Sequence, residues 1–200
     1  MSSEDNDKAG EARRRLVAVR ALGLFARLGF EKVSFRDISK ATGVPRTAIY
    51  RYYHTKREIF DAAIGGVLSD MRKTINATLA ERRPATARLS RVCALVVDEL
   101  FEQRDFLGAI FNFVFAMVTT GEDMSARVEG FTGGLKRAFR KLISEGRADG
   151  SIRESVDPDI NADLLFALME SVAFNILLNL EKDPRNSKSR FKAAITAISA

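Results

Sequence analysis

Lys56 and Arg57 follow Thr55 and precede Glu58, in a Thr-x-x-Glu pattern that caps the start of a helix. Cations in a first turn oppose the positive end of the helix dipole, whereas an anion docked there is held by the dipole and the lysine together. The charge distribution points to the same chemistry. Residues 1–60 hold 13 Lys plus Arg against 7 Asp plus Glu, and residues 61–200 hold 19 of each, so the whole net charge of +6 belongs to the first 60. A local basic excess is what attraction to a polyanion and release of its counterions require. Other chemistry has little to work with. Cys93 is the only cysteine and His54 the only histidine, so one chain can assemble neither a disulfide nor a zinc site. A hydrolase triad would have to use His54, and no GxxxxGK phosphate loop occurs. No enzymatic activity, metal or cofactor is expected.

The stretch that must position these residues runs from Val33 to Phe60 and contains three helix starts. Ser34 with Asp37 forms a capping box for a helix from Phe35 to about Thr42. Gly43 closes that helix, and Pro45 opens a short one from about Pro45 to Tyr53. Ile49 and Tyr53, four apart, share its inward face, leaving Arg46, Thr47, Tyr50 and Arg51 on the others. Thr55 starts the third helix, which carries Ile59, Phe60, Ala63, Ile64 and Val67 and stops before Pro84. Upstream, Leu16, Val19, Leu22, Phe25 and Leu28 recur every three residues, widened by Val17, Leu24 and Ala26, in an amphipathic helix from about Glu11. Together these read as a helix-turn-helix.

Beyond Pro84 the chain is balanced in charge and strongly apolar, with no strand alternation. Helices are expected over about 85–103, 105–119, 123–148, 158–180 and from 184, with Asp157-Pro158 and Asp183-Pro184 as cap and first turn. Gly130, Gly133 and Gly134 predict a kink or a close contact in the third of these. The run Phe106–Gly121 lacks formal charge but is 16 residues long, short of the ~20 a membrane span needs, so it reads as a buried core helix. The polar first fifteen residues argue against a signal peptide and for a frayed arm, which places the protein in the cytoplasm. The helix from Pro158 carries apolar residues on more than one face. Leu165, Met169, Val172 and Ile176, with Phe191 and Ile195 from the last helix, are expected to meet their counterparts in a second subunit.

Gly43-Val44, Ile49-Tyr50-Arg51-Tyr52-Tyr53 and Thr55-Lys56, behind an amphipathic helix and a Ser-capped one, resemble the TetR family of transcriptional regulators. Pro45 stands where that family has a capping serine, and Tyr53 where it has phenylalanine. Tyr53 either points inward with its hydroxyl at the edge or adds a phosphate contact. The resemblance implies an all-α fold with a disordered arm at 1–10, a three-helix DNA-binding domain at 11–54, a connecting helix at 55–83 and an effector and dimerisation domain at 84–200. Carried over by residue, it assigns Thr47, Tyr50, Tyr52 and Lys56 to phosphates and Arg36 and Arg46 to base edges, with Arg51 beside them. It makes Phe111, Phe115, Phe131 and Phe166 walls of an effector cavity, with Asn112 and Asn175 as its hydrogen-bonding groups; the alternative is ordinary core. Its implied function is that of a homodimeric repressor released from a palindromic operator in double-stranded DNA by a small apolar effector, with no membrane partner. The rival is a constitutive or architectural helix-turn-helix protein.

Overall fold

The computed structural model describes residues 3–200, apart from the side chains of residues 3–8, 127 and 131. The described elements are all helical: α1 Ser3–Leu28, α2 Phe35–Thr42, α3 Arg46–Tyr52, α4 Lys56–Leu79, α5 Ala85–Glu102, α6 Arg104–Thr119, α7 Ser125–Ala148, α8 Pro158–Leu177 and α9 Pro184–Ile198. An isolated antiparallel bridge joins Ile152 and Ser199. Two compact units result, one of residues 1–69 with 105–124 and the other of 70–104 with 125–200. This division departs from boundaries at 54/55 and 83/84, because α6 packs with the first unit although it lies far along the chain.

The first unit is organised by phenylalanines. Phe113 of α6 stacks on Phe60 of α4 with ring centroids 4.2 Å apart and meets Phe30 edge-on at 4.9 Å. Phe25 of α1 lies 5.3 Å from Phe30 and 5.9 Å from Phe60. Phe25, Phe60 and Phe113 are wholly buried, and such ring pairs add to the gain from burying their area. Polar links reinforce the seat of α6. Asn112 Nδ2 donates to the Ala26 carbonyl at 2.9 Å, and Arg57 pairs with Glu122 at 2.7 Å while its guanidinium covers the Phe113 ring.

Helix α1 corrects two expectations. It begins at Ser3, so residues 3–10 are helical rather than a disordered arm. Its buried face is Val17, Ala18, Ala21, Leu22 and Phe25, whereas Leu16, Val19 and Leu28 are exposed. A three-residue step falls short of a full turn by about 60°, so a stripe built on threes winds off the buried face within a few steps.

In the second unit, α5, α7, α8 and α9 enclose Leu89, Val92, Val97, Phe139, Leu142, Ile143, Val172, Ile176 and Phe191. Asp157 and Asp183 cap α8 and α9 as expected, Asp157 Oδ1 accepting from the amides of Asp159 and Ile160. Helix α8 stops at Leu177 rather than Leu180, where Arg104 donates to the Ile176 carbonyl and to Asn179, whose backbone is left-handed. Helix α7 runs unbroken through its three glycines. A close approach occurs at Gly133, where an added Cβ would run into the Glu129 side chain and stand 2.9 Å from Arg137 Nη1, and another at Gly146, where it would stand 2.6 Å from Ile152.

Candidate nucleic-acid interface

Ser34 holds the start of α2 through a reciprocal box. Its hydroxyl accepts from the Asp37 amide at 3.3 Å, while Asp37 Oδ2 accepts from the Ser34 amide at 2.9 Å and from its hydroxyl at 2.6 Å. These bonds stabilise the carboxylate and hold Asp37 below its ordinary range. Gly43 ends α2 in the left-handed conformation (φ 69°). The turn is tied by Ser39 Oγ donating to the Val44 carbonyl at 2.8 Å and by the Val44 amide donating to Thr42 Oγ1 at 3.2 Å. Pro45 supplies an extended residue ahead of α3 but no side-chain cap. Ile38, Ile49 and Tyr53 are buried beneath α2 and α3, and together these features fix the direction of α3.

Tyr53 points inward. Its hydroxyl donates to the Arg14 carbonyl at 3.1 Å, Arg14 lies over its ring, and burial pushes its phenol pKa up. It is therefore an anchor of α3 on α1. Arg36, Arg46, Thr47, Tyr50 and Arg51 are exposed together, and none of the three arginines forms an ion pair among the described residues. Tyr50 lies flat on Phe35, centroids 4.5 Å apart and planes 14° from parallel. Tyr52 is half-buried near Gly10. The surface formed this way offers guanidinium forks, a hydroxyl and a phenol to an anionic, groove-bearing partner.

Lys56 departs from its expected role. Its ammonium donates to the carbonyls of Phe30 at 2.9 Å and Glu31 at 2.8 Å and sits over the Phe30 ring. With Arg57 on Glu122 and Phe113, both cations of this first turn have internal partners. The cap itself is shifted: Thr55 Oγ1 accepts from the Glu58 amide, and Glu58 accepts from His54 rather than from Thr55.

The model of bacterial regulatory proteins of the tetR family matches residues 19–63, the segment that builds this surface. Over that segment the chain is similar to the DNA-binding part of TetR-family regulators. It is 25% identical over 162 residues to the HTH-type transcriptional repressor DhaR of Mycobacterium sp. (strain GP1), covering 80% of each chain. It is 29% identical over 125 residues to the nucleoid occlusion factor SlmA of Glaesserella parasuis, covering 60% of this chain and 61% of that one. A TetR transcriptional regulator from Chloroflexus aurantiacus shares the fold with a TM-score of 0.79 at 24% identity, over 96% of this chain and 98% of that one. FadR of Bacillus subtilis, solved with stearoyl-CoA, does so with a TM-score of 0.74 at 19% identity, over 92% and 98%.

The residues expected to bind an effector fall into separate units. Phe111, Asn112 and Phe115 lie on α6 in the first. Phe115 is 57% exposed, its ring 6.0 Å from that of half-buried Phe111. With Asn112 it borders a surface depression edged by Leu28, Phe30, Lys32 and Thr119. Asn112 is already bound to the Ala26 carbonyl. In the second unit Phe166 is buried with Lys136 over its ring, and Asn175 makes a 3.5 Å contact to Ser171. The Phe131 side chain lies outside the described residues. No group of His, Cys, Asp and Glu able to hold a metal occurs among those residues.

The expected dimer residues are corrected outright. Leu165, Met169, Val172, Ile176, Phe191 and Ile195 are each at most 4% exposed within the single chain, so they form its core and not a surface. Helix α8 does have a second apolar face, made of Ile160, Leu164, Phe174 and Leu178, continued by Leu180. By length and composition this helix could also cross a bilayer, yet one side of it is seated in its own unit. Both faces of α8 are apolar, and sequence alone does not say which one the rest of the chain covers.

Proposed function

We propose that the chain is a homodimeric repressor that binds a palindromic operator through α3 and is released from it by a small apolar effector. The observation carrying this reading is the exposed set Arg36, Arg46 and Arg51, grouped with Thr47, Tyr50 and Tyr52 on a helix pair whose direction is fixed by the Gly43 turn and the Tyr53 anchor. Arg46 and Arg36 read base edges, and the others contact phosphates. Lys56 supports the end of α1 and drops out of the phosphate set. Two recognition helices must stand ~34 to 36 Å apart to enter successive major grooves, which calls for a second copy. The exposed α8 face offers the surface for it.

The effector reading rests on α6. Phe111, Phe115 and Val118 present apolar surface on a helix packed into the same unit as the helix-turn-helix, so a ligand on α6 bears on that unit without an intermediary. The solved relative holding stearoyl-CoA supports an apolar, chain-like class of effector. A ligand shifts the equilibrium only by its differential affinity for the two states.

The test uses a duplex selected from a random pool by the wild-type protein, together with its single-base-pair variants. Arg46→Ala relaxes discrimination at one base pair per half-site, each good bidentate pair being worth ~1 to 3 kcal/mol. A uniform loss across all variants would overturn the base-reading role. Acyl-CoA thioesters and free fatty acids of graded length are then added: thermal stabilisation together with weaker duplex binding supports the repressor. Binding without any effect on DNA favours the constitutive reading.

A further inference from the structure

We propose that Phe35 is a positioning residue for DNA binding, its ring holding the Tyr50 phenol in the orientation in which it meets a phosphate; the inference rests on the DNA-contact role proposed for Tyr50. Tyr50 stands near the middle of α3 with 40% of its surface exposed. An aromatic side chain so placed has two free torsions, and fixing them on binding costs affinity. Here the ring is already fixed, since Phe35 lies parallel to it at 4.5 Å.

Phe35 is itself held from its backbone. It is the first residue of α2, directly after Ser34, and the Ser34–Asp37 box defines the start of that helix on both sides of it. The box, the Phe35 ring and the Tyr50 ring form a continuous support from the α2 cap to the exposed face of α3. Phe35 is not needed to hold the two helices together. Ile38 and Ile49 are wholly buried and perform that task, whereas Phe35 is half-exposed. A half-exposed aromatic spent on a single exposed tyrosine orients that tyrosine.

The experiment measures anisotropy of a labelled duplex selected by the wild-type protein, titrated with the full-length chain. Phe35→Leu keeps a side chain of similar burial but removes the stack, and Phe35→Tyr keeps the stack. Phe35→Leu is expected to weaken binding on the order of 3- to 10-fold with an unchanged melting temperature, and Phe35→Tyr to bind as wild type. In a Tyr50→Leu background, Phe35→Leu is expected to cost nothing further. Additive losses, or full affinity for Phe35→Leu while Tyr50→Leu binds weakly, would overturn the positioning role alone. Full affinity for Tyr50→Leu would overturn the Tyr50 contact and the inference with it. Should Phe35→Leu melt early, the Phe35→Tyr variant and a Phe35→Trp variant decide: loss of affinity in both at wild-type stability overturns the proposal.

Discussion

Helix α8 offers a test in which two adjacent residues of the same type must behave oppositely. Leu164 is 61% exposed and Leu165 is 4% exposed. Burying a leucine side chain fully is worth roughly 1.5 to 3 kcal/mol, so covering the exposed portion of Leu164 contributes roughly 1 to 2 kcal/mol per copy. A two-fold interface uses the residue twice, which gives roughly 2 to 4 kcal/mol, or on the order of 30- to 800-fold in the dimer dissociation constant. Leu164→Asp forfeits this and also requires a carboxylate to be desolvated in each copy. It is therefore expected to give a folded monomer. Leu165→Ala instead opens a cavity in the chain's own core and costs about 2 to 5 kcal/mol of folding stability. Sedimentation equilibrium reports the first effect, and urea unfolding at two protein concentrations separates folding from association. A Leu164→Asp protein that dimerises as tightly as wild type would refute the assignment of this face. A Leu165→Ala protein that dissociates without losing stability would do the same.

Three further outcomes follow from local geometry. Asp37 titrates below its ordinary value of 3.8 because Ser34 hydrogen-bonds its carboxylate, so its contribution is complete above that value and is lost as pH falls through the depressed folded value. Melting curves of wild type and Asp37→Asn should accordingly differ near neutrality and converge in acid; a gap that widens in acid would contradict the box. Cys93 is buried, and its thiol is pushed up to about 12 by burial, so a thiol reagent at about pH 8 should label it only after denaturant is added. Rapid labelling of the folded protein would show that α5 opens at that site. Lys56→Met, which deletes two carbonyl partners at the end of α1, should lower stability by about 1 to 2 kcal/mol and leave the salt dependence of DNA binding unchanged. A salt slope smaller by about one would return Lys56 to the phosphate contacts.

The helix-turn-helix was legible because its information is local. Ser34, Gly43, Pro45 and Thr55 act on the backbone within a few residues, and each end of α2 and α3 lies within a residue of where those caps place it. Asp157-Pro158 and Asp183-Pro184 were readable for the same reason. What failed was assignment of faces. Periodicity names an apolar stripe but not its neighbour, so α8, apolar on both sides, had its core and its exposed face exchanged. The threefold repeat in α1 likewise counted Leu16 and Leu28 as buried because a stripe on threes winds around the helix. The seat of α6 was out of reach for a different reason. It depends on Phe113 meeting Phe30 and Phe60, residues more than fifty positions away, and no local signal marks one phenylalanine of a Phe-rich helix as the one that does so.

The two cations after Thr55 show how a correct electrostatic premise led to the wrong partner. A first turn holding Lys56 and Arg57 does need negative potential to offset the helix dipole, and a docked phosphate is one source. The protein supplies two others. The carbonyl end of α1 carries the negative pole of its own dipole, and Lys56 sits on carbonyls just past it; Arg57 takes the Glu122 carboxylate beyond α6. Each cation therefore joins the start of α4 to another element, α1 through Lys56 and the end of α6 through Arg57. Lys56, expected at a phosphate, and its neighbour Arg57 thereby connect α6, and any effector bound on its apolar face, to the helices that carry Arg36, Arg46 and Arg51. On this geometry Glu122→Gln weakens a joint rather than a DNA contact. Its effect should appear in how strongly an effector loosens the duplex, with affinity in the effector's absence nearly unchanged.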